Sequence, residues 1–162
     1  MISVVIPTFN EEAVLGRALG PLVPAAIAGL VSEVIVVDGG STDATLEVAD
    51  DAGARILASD GDRGARLRMG CEAARAAWLM VLDPRGWLEP AWQEVASGHI
   101  QAHPTDAGYF PVAFGGWLGR FMRTQDDALL VPASRRQVLL TAPGRLHARR
   151  LAARLFLAEP RA

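Results

Sequence analysis

With 162 residues, 51% of them apolar, the chain can bury the core of one domain and is too apolar to be disordered. Its 16 basic residues, all arginine, stand against 18 acids for a formal net charge of −2, and no nucleic-acid partner is expected. The charge is uneven: residues 1–110 hold 15 acids against 7 arginines, and residues 111–162 hold 9 arginines against 3 acids.

Ile2-Ser3-Val4-Val5-Ile6 predicts a short buried strand, β-branched and stopped by Pro7. Asn10 is placed to cap a helix with Glu11 and Glu12 in its first turn, where carboxylates suit the helix dipole. Val14, Leu15, Ala18 and Leu19 give that helix an apolar face, and Pro21 and Pro24 end or bend it. Val34-Ile35-Val36-Val37 is a second buried strand. It ends at Asp38-Gly39-Gly40-Ser41-Thr42-Asp43, where Ser41 or Thr42 caps a helix running to about Asp51. Ala54 to Leu57 is a third strand, residues 65–77 are a helix, and Trp78 to Leu82 is a fourth strand ending at Asp83. Strands alternating with helices imply a three-layer α/β/α fold with a mostly parallel central sheet. Beyond residue 84 the pattern loosens into a helix from Glu89 to Gly98, strand-like runs at Tyr109–Phe114 and Ala128–Val131, and a basic helix from Arg145 to Leu157. No repeat or low-complexity linker divides the chain, so one domain is expected over 1–162, with a first half (1–83) and a shortened second half (84–162).

Met1 leads straight into a strand without a basic n-region, so no secretory leader is expected. The lone Cys71 has no internal disulfide partner, which suits a reducing compartment and a buried, inert thiol. No apolar run approaches the ~20 residues that cross a bilayer. A soluble cytoplasmic protein is expected, with contact at the inner membrane face left open through the basic, leucine-bearing stretch 145–157. Plain packing of that stretch onto the sheet is the alternative, and a homodimer is equally open.

Ligands of open α/β sheets bind outside the carboxyl ends of the strands. Three such ends carry informative residues here: Pro7-Thr8-Phe9-Asn10-Glu11, Asp38-Gly39-Gly40-Ser41-Thr42-Asp43 and Asp83-Pro84-Arg85. Two glycines before a helix start allow close backbone approach to a ligand, and Asp38 can accept from a base or ribose. The same turn is also common as a purely structural device. Neither a dinucleotide Gly-x-Gly-x-x-Gly nor a Gly-Lys-Ser/Thr phosphate loop is present.

Taken in order, Ile2-Ser3-Val4-Val5-Ile6-Pro7-Thr8-Phe9-Asn10-Glu11-Glu12 and Glu33-Val34-Ile35-Val36-Val37-Asp38-Gly39-Gly40-Ser41-Thr42-Asp43 resemble the first two strand-loop segments of family 2 glycosyltransferases, the GT-A fold. The resemblance covers residues 1–83 and thins thereafter. Within the family the chain most resembles small bacterial members encoded beside radical-SAM or selenium-related proteins. It implies a nucleotide-diphosphate sugar as donor, commonly a UDP-sugar, and an unknown acceptor. Pro7, Thr8, Asn10 and Glu11 would border base and ribose, Asp38 would hold the base, and Gly40 and Ser41 would belong to the same loop. Gly64-Ala65-Arg66-Leu67-Arg68-Met69-Gly70 matches the family's Gly-Arg stretch with Gly70 in place of its usual Asn, so Arg66 and Arg68 would face phosphate or lie on a solvated helix face.

The family ends its fourth strand in Asp-x-Asp, whose last carboxylate binds Mg²⁺ or Mn²⁺ on the diphosphate. Here the segment reads Leu82-Asp83-Pro84-Arg85. Asp83 remains as the candidate metal ligand, but an arginine stands where the metal-binding carboxylate belongs and cannot ligate a cation. Arg85 would pair with the diphosphate directly, or be a surface residue on a decayed site. The family's acidic pair on a later helix, which supplies the general base, is missing. Asp126 and Asp127 are the remaining candidate bases, or cap a turn instead. His99 and His103 lack a third zinc ligand nearby. Trp87, Trp92 and Trp117 would stack on a sugar or base, or be core anchors. Two readings follow: a sugar transferase, or a catalytically silent domain that binds a nucleotide or a protein partner. A nucleotidyltransferase is disfavoured because its Gly-rich first loop is missing.

Overall fold

In the computed structural model, residues 1–111, 128–141 and 146–157 are described. Asp126, Asp127, Trp117 and Arg145 lie outside them. Ile2–Thr8 forms β1, buried at every position. Its β-branched run is covered on both faces, as the central strand of a parallel sheet requires. Val31–Asp38 (β2) pairs with it in parallel from Ile2↔Val31 to Thr8↔Asp38. Trp78–Val81 (β4) pairs in parallel on its other side, with Leu82 N donating to Val5 O beyond the last paired residue. Pro7 therefore falls past the end of that ladder, so its missing N–H strands no partner and the strand continues to Thr8 instead of stopping.

Arg55–Ala58 (β3) flanks β2. Among the described residues the sheet has seven strands in the order β3-β2-β1-β4-β7-β6-β8, where β6 is Ala107–Phe110, β7 is Ala128–Pro132 and β8 is Ala148–Arg150. Among the described strands only β7 runs against its neighbours: it is antiparallel to both β4 and β6, while β6 and β8 are parallel. Gly86–Leu88 (β5) and Leu155–Leu157 (β9) form a separate antiparallel pair. The helices are α1 (Glu12–Leu19), α2 (Leu22–Ile27), α3 (Thr45–Asp51), α4 (Arg63–Ala73), α5 (Trp92–Ala102) and α6 (Arg136–Thr141). They cover the sheet with two apolar clusters, one built on Ile2, Val4, Ile6 and Met80, the other on Val5, Ile35, Val37 and Leu79. No helix among the described residues is long and apolar enough to cross a membrane.

The α4 helix, which crosses between β3 and β4, rests on the sheet through Gly70. A Cβ there would stand 2.4 Å from Val5 Cγ1 and 2.9 Å from Val37 Cγ2. Cys71 beside it is fully buried, and desolvation pushes its thiol up to about 12, so it is inert as a nucleophile at neutral pH.

Several expectations are corrected. The stretch 146–157 is not a basic helix but two strands, β8 and β9. Leu151, Ala153 and Leu155 are buried, while Ala152 and Arg154 between them are exposed, an alternation of period two. Leucines four apart fit either element, and pairing with β6 and β5 decides it. The helical membrane-binding face imagined there does not exist among the described residues. The end or bend expected at Pro21 and Pro24 is present: α1 stops at Leu19, Pro21 is the N-cap of α2, and Pro24 sits in the first turn of α2, where an N–H has no intrahelical acceptor. Helix α5 starts at Trp92 and continues to Ala102, later than the Glu89–Gly98 expected. Trp92 is a core anchor whose Nε1 donates to Pro21 O at 3.2 Å. His99 is also buried, with Nε2 2.9 Å from Asp106 O.

Candidate functional site

The carboxyl ends of β3, β2, β1 and β4 lie side by side along one edge of the sheet. The loops after β1 and β2 are tied together there. Asn10 adopts φ 54°, a left-handed conformation that asparagine tolerates. It does not cap α1. Its N–H donates to Ser41 Oγ at 2.8 Å and its Oδ1 accepts from Thr42 N at 2.9 Å, so it binds the second loop. Glu11 N donates to Thr45 Oγ1 at 2.8 Å, Glu12 N to Asp43 Oδ2 at 3.2 Å, and Glu12 Oε2 accepts from Ala44 N at 2.9 Å. Neither Ser41 nor Thr42 caps α3: its N-cap is Ala44, and the first helical N–H, that of Thr45, donates to Asp43 Oδ1 at 3.0 Å. Gly40, at φ 89°, occupies a conformation that side-chain-bearing residues avoid.

Asp38 organises this knot. It is 3% exposed, and its Oδ1 accepts from Thr8 Oγ1 at 3.1 Å and from Ser41 Oγ. Its Oδ2 accepts from the N–H groups of Gly40 and Ser41, each at 2.8 Å. Burial alone would raise its pKa, but the hydrogen bonds from Ser41, Gly40 and Thr8 outweigh it and hold the carboxyl below its ordinary range. Four donors fill the four acceptor positions of the carboxylate. The side chains of Thr8 and Asp38 are thus turned to each other, and together they shape the loop through Gly40 and Ser41.

At the end of β4, Asp83 is 6% exposed. Its Oδ1 accepts from both the backbone N and the Nε of Arg85 at 3.0 Å, and its Oδ2 from an Nη of Arg63 at 3.1 Å. Burial raises the Asp83 pKa, and the hydrogen bonds and charges of Arg85, with the charge of Arg63, overcome this and lower it. Arg63 is the first residue of α4, and the Asp62 side chain caps that helix by accepting from Ala65 N at 2.8 Å. The cap sets Arg63 on the same edge as the strand ends. Arg66, one turn on, donates to Gly61 O at 2.9 Å and packs its guanidinium against Gly39, where a Cβ would come within 2.4 Å of it. Its Nε is buried with no hydrogen-bond partner.

A divalent cation at this strand end would need oxygen ligands. The residues present do not fit one: both oxygens of Asp83 already carry guanidinium groups, and the neighbouring position is Arg85 itself. Among the described residues no group of three or more His, Cys, Asp and Glu side chains could hold an ion.

Of the residues singled out in the sequence, the structure brings together Pro7, Thr8, Asn10, Glu11, Asp38, Gly40 and Ser41 in one loop pair, and Asp83 with Arg85. Arg66 joins the first group through Gly39. Arg63 and Phe9 were missed. The signal for Arg63 is the Asp62 N-cap before it; for Phe9 it is a large aromatic, 52% exposed, directly at a strand end. Trp87 is half-buried under Arg17, whose Cζ lies 4.7 Å from its ring centroid, and stacks on Phe156.

The profile of the family described as Glycosyl transferase family 2 matches residues 3–153. Glycosyltransferase AglJ of Haloferax volcanii is 32% identical over 90 residues, 54% of this chain and 28% of that protein. Validoxylamine A glucosyltransferase of Streptomyces hygroscopicus subsp. limoneus is 36% identical over 119 residues, 64% of this chain and 25% of that protein. The chain thus spans between a quarter and a third of the length of these curated relatives. Among solved structures, glucosyl-3-phosphoglycerate synthase from Mycobacterium tuberculosis, in complex with Mn²⁺ and UDP-glucose, superposes with a TM-score of 0.73 at 20% identity, covering 100% of this chain and 71% of that one. That likeness establishes a shared fold.

Proposed function

Given that the chain belongs to glycosyl transferase family 2, we propose that it transfers a sugar from a nucleotide-diphosphate sugar, a UDP-sugar in the first instance, to an acceptor hydroxyl. The observation that carries this reading is the common edge on which the β1 and β2 loops, knotted by Asp38 and Asn10, lie beside a cationic β4 end. In the reaction the acceptor oxygen bonds to the anomeric carbon, the bond from that carbon to the diphosphate breaks, and the nucleoside diphosphate leaves. The acceptor proton goes to a carboxylate, sought at Asp126 or Asp127. Base and ribose rest against the loop built on Thr8, Asn10, Glu11, Gly40 and Ser41, with Arg66 behind Gly39. The exposed Phe9 ring offers a stacking face for the base. The buried lone thiol of Cys71 goes with a cytoplasmic location.

A thermal-shift titration with UDP and a panel of UDP-sugars tests this. At a hundredfold excess over Kd the melting temperature should rise by about 5–10 °C. No rise with any nucleotide sugar would sink the reading. One observation favours a silent, nucleotide-binding domain instead: the carboxylate expected to hold a cation is neutralised. Stabilisation by UDP-sugars without UDP release across an acceptor panel would select that alternative.

A further inference from the structure

The trio Arg63–Asp83–Arg85 has a charge balance opposite to that of a cation site. One guanidinium suffices to neutralise a carboxylate, yet Asp83 receives two, so the trio carries a formal charge of +1. A pair of carboxylates at this place would carry −2 and call for a metal ion before a diphosphate could approach. A dication at Asp83 would have to displace both arginines and then remain beside them. The arginines are also the accessible members: their side chains are 48% and 36% exposed, against 6% for Asp83. Asp83 thus lies beneath them as the anchor that fixes both guanidinium groups at the strand end. The two reach it from separate elements, Arg63 from the first turn of α4 and Arg85 from the turn after β4, so the cationic surface spans the edge on which the loops converge. Arginine forks match phosphate oxygens in geometry as well as charge.

We infer that this chain binds the diphosphate of its donor without a divalent cation, Arg63 and Arg85 on Asp83 supplying the positive charge that a metal ion would otherwise bring. The inference rests on the nucleotide-sugar reading above and names how that same site holds its ligand. When the sugar bond breaks, the negative charge growing on the leaving diphosphate meets fixed guanidinium groups, and the proton balance is unchanged because arginine stays charged throughout.

The test is calorimetric titration of the full chain with UDP at constant ionic strength, once in EDTA and once in excess Mn²⁺, with uridine as the phosphate-free control. The expected result is one dissociation constant for UDP in both buffers and much weaker binding of uridine. Arg63→Gln and Arg85→Gln should each weaken UDP binding about 10-fold to 100-fold and leave uridine binding unchanged. Arg85→Asp, which creates a second carboxylate, should bind UDP in Mn²⁺ better than in EDTA. A melting temperature for each variant shows that it is folded. UDP binding by the unmodified chain that requires Mn²⁺ overturns this inference and leaves the transferase reading standing. Undiminished UDP binding by both glutamine variants also overturns it. No UDP binding in either buffer overturns both.

Discussion

Asp38 is where a single side chain carries the most structure. It accepts four hydrogen bonds at one end of β2 and so determines the course of the loop through Gly40 and Ser41. Asp38→Asn keeps the shape but turns an NH₂ group toward donors, leaving at least one buried N–H or O–H without an acceptor. It should cost about 2–3 kcal/mol in urea unfolding and abolish the thermal shift with UDP. Loss of the shift with unchanged stability would mean instead that the carboxylate touches the ligand directly. The sequence made this residue conspicuous without revealing its partners. An aspartate at a strand end reads equally as ligand contact or as loop anchor, and the donors Thr8 and Ser41 around it, one of them thirty residues away, are visible only in the fold.

At the scale of elements, β1 to β4, α3 and α4 were legible to within a few residues. Short β-branched runs bounded by Gly, Pro or Asp leave little choice between strand and helix. The misreadings share a physical cause: a local pattern that two structures satisfy, with the choice made by distant pairing. Leu151 and Leu155 are the plainest instance, since β5 and β6, far back in the chain, select the strands. Asn10 is another: its place before Glu11 and Glu12 suits a helix cap, but its hydrogen bonds go to a loop some thirty residues on. Gly70 is legible only afterwards, as the contact that lets α4 lie on Val5 and Val37. Gly70→Ala should destabilise the fold by about 1–3 kcal/mol, because both neighbours belong to buried strands that cannot yield freely. Chemical denaturation would check this, and a stabilised variant would mean that α4 shifts easily.

For the molecule as a whole, acid is the informative perturbation. Asp38 and Asp83 are both held ionised below the ordinary carboxylate range near 3.9 by donors that exist only in the fold. The unfolded chain takes up these protons first as pH falls. Their contribution to stability is therefore complete above about pH 5 and drains away as pH drops through 4 toward the folded values. Unfolding free energy measured across pH 3–7 should be level at the upper end and fall steeply below about 4. A curve that stays flat down to pH 3 would show these carboxylates to be unperturbed. Both groups sit on the proposed donor edge and stay ionised in the folded chain over that interval, so nucleotide binding by the folded protein should weaken only below it.

The seating of α4 on Gly70 reaches beyond stability. Arg63 lies seven residues away along a stiff rod, about 10 Å at 1.5 Å per residue. A methyl group wedged beneath the rod at that fulcrum would tilt it and swing its far end, lifting Arg63 from Asp83. One added carbon, remote from any nucleotide, would then register as weakened grip on phosphate.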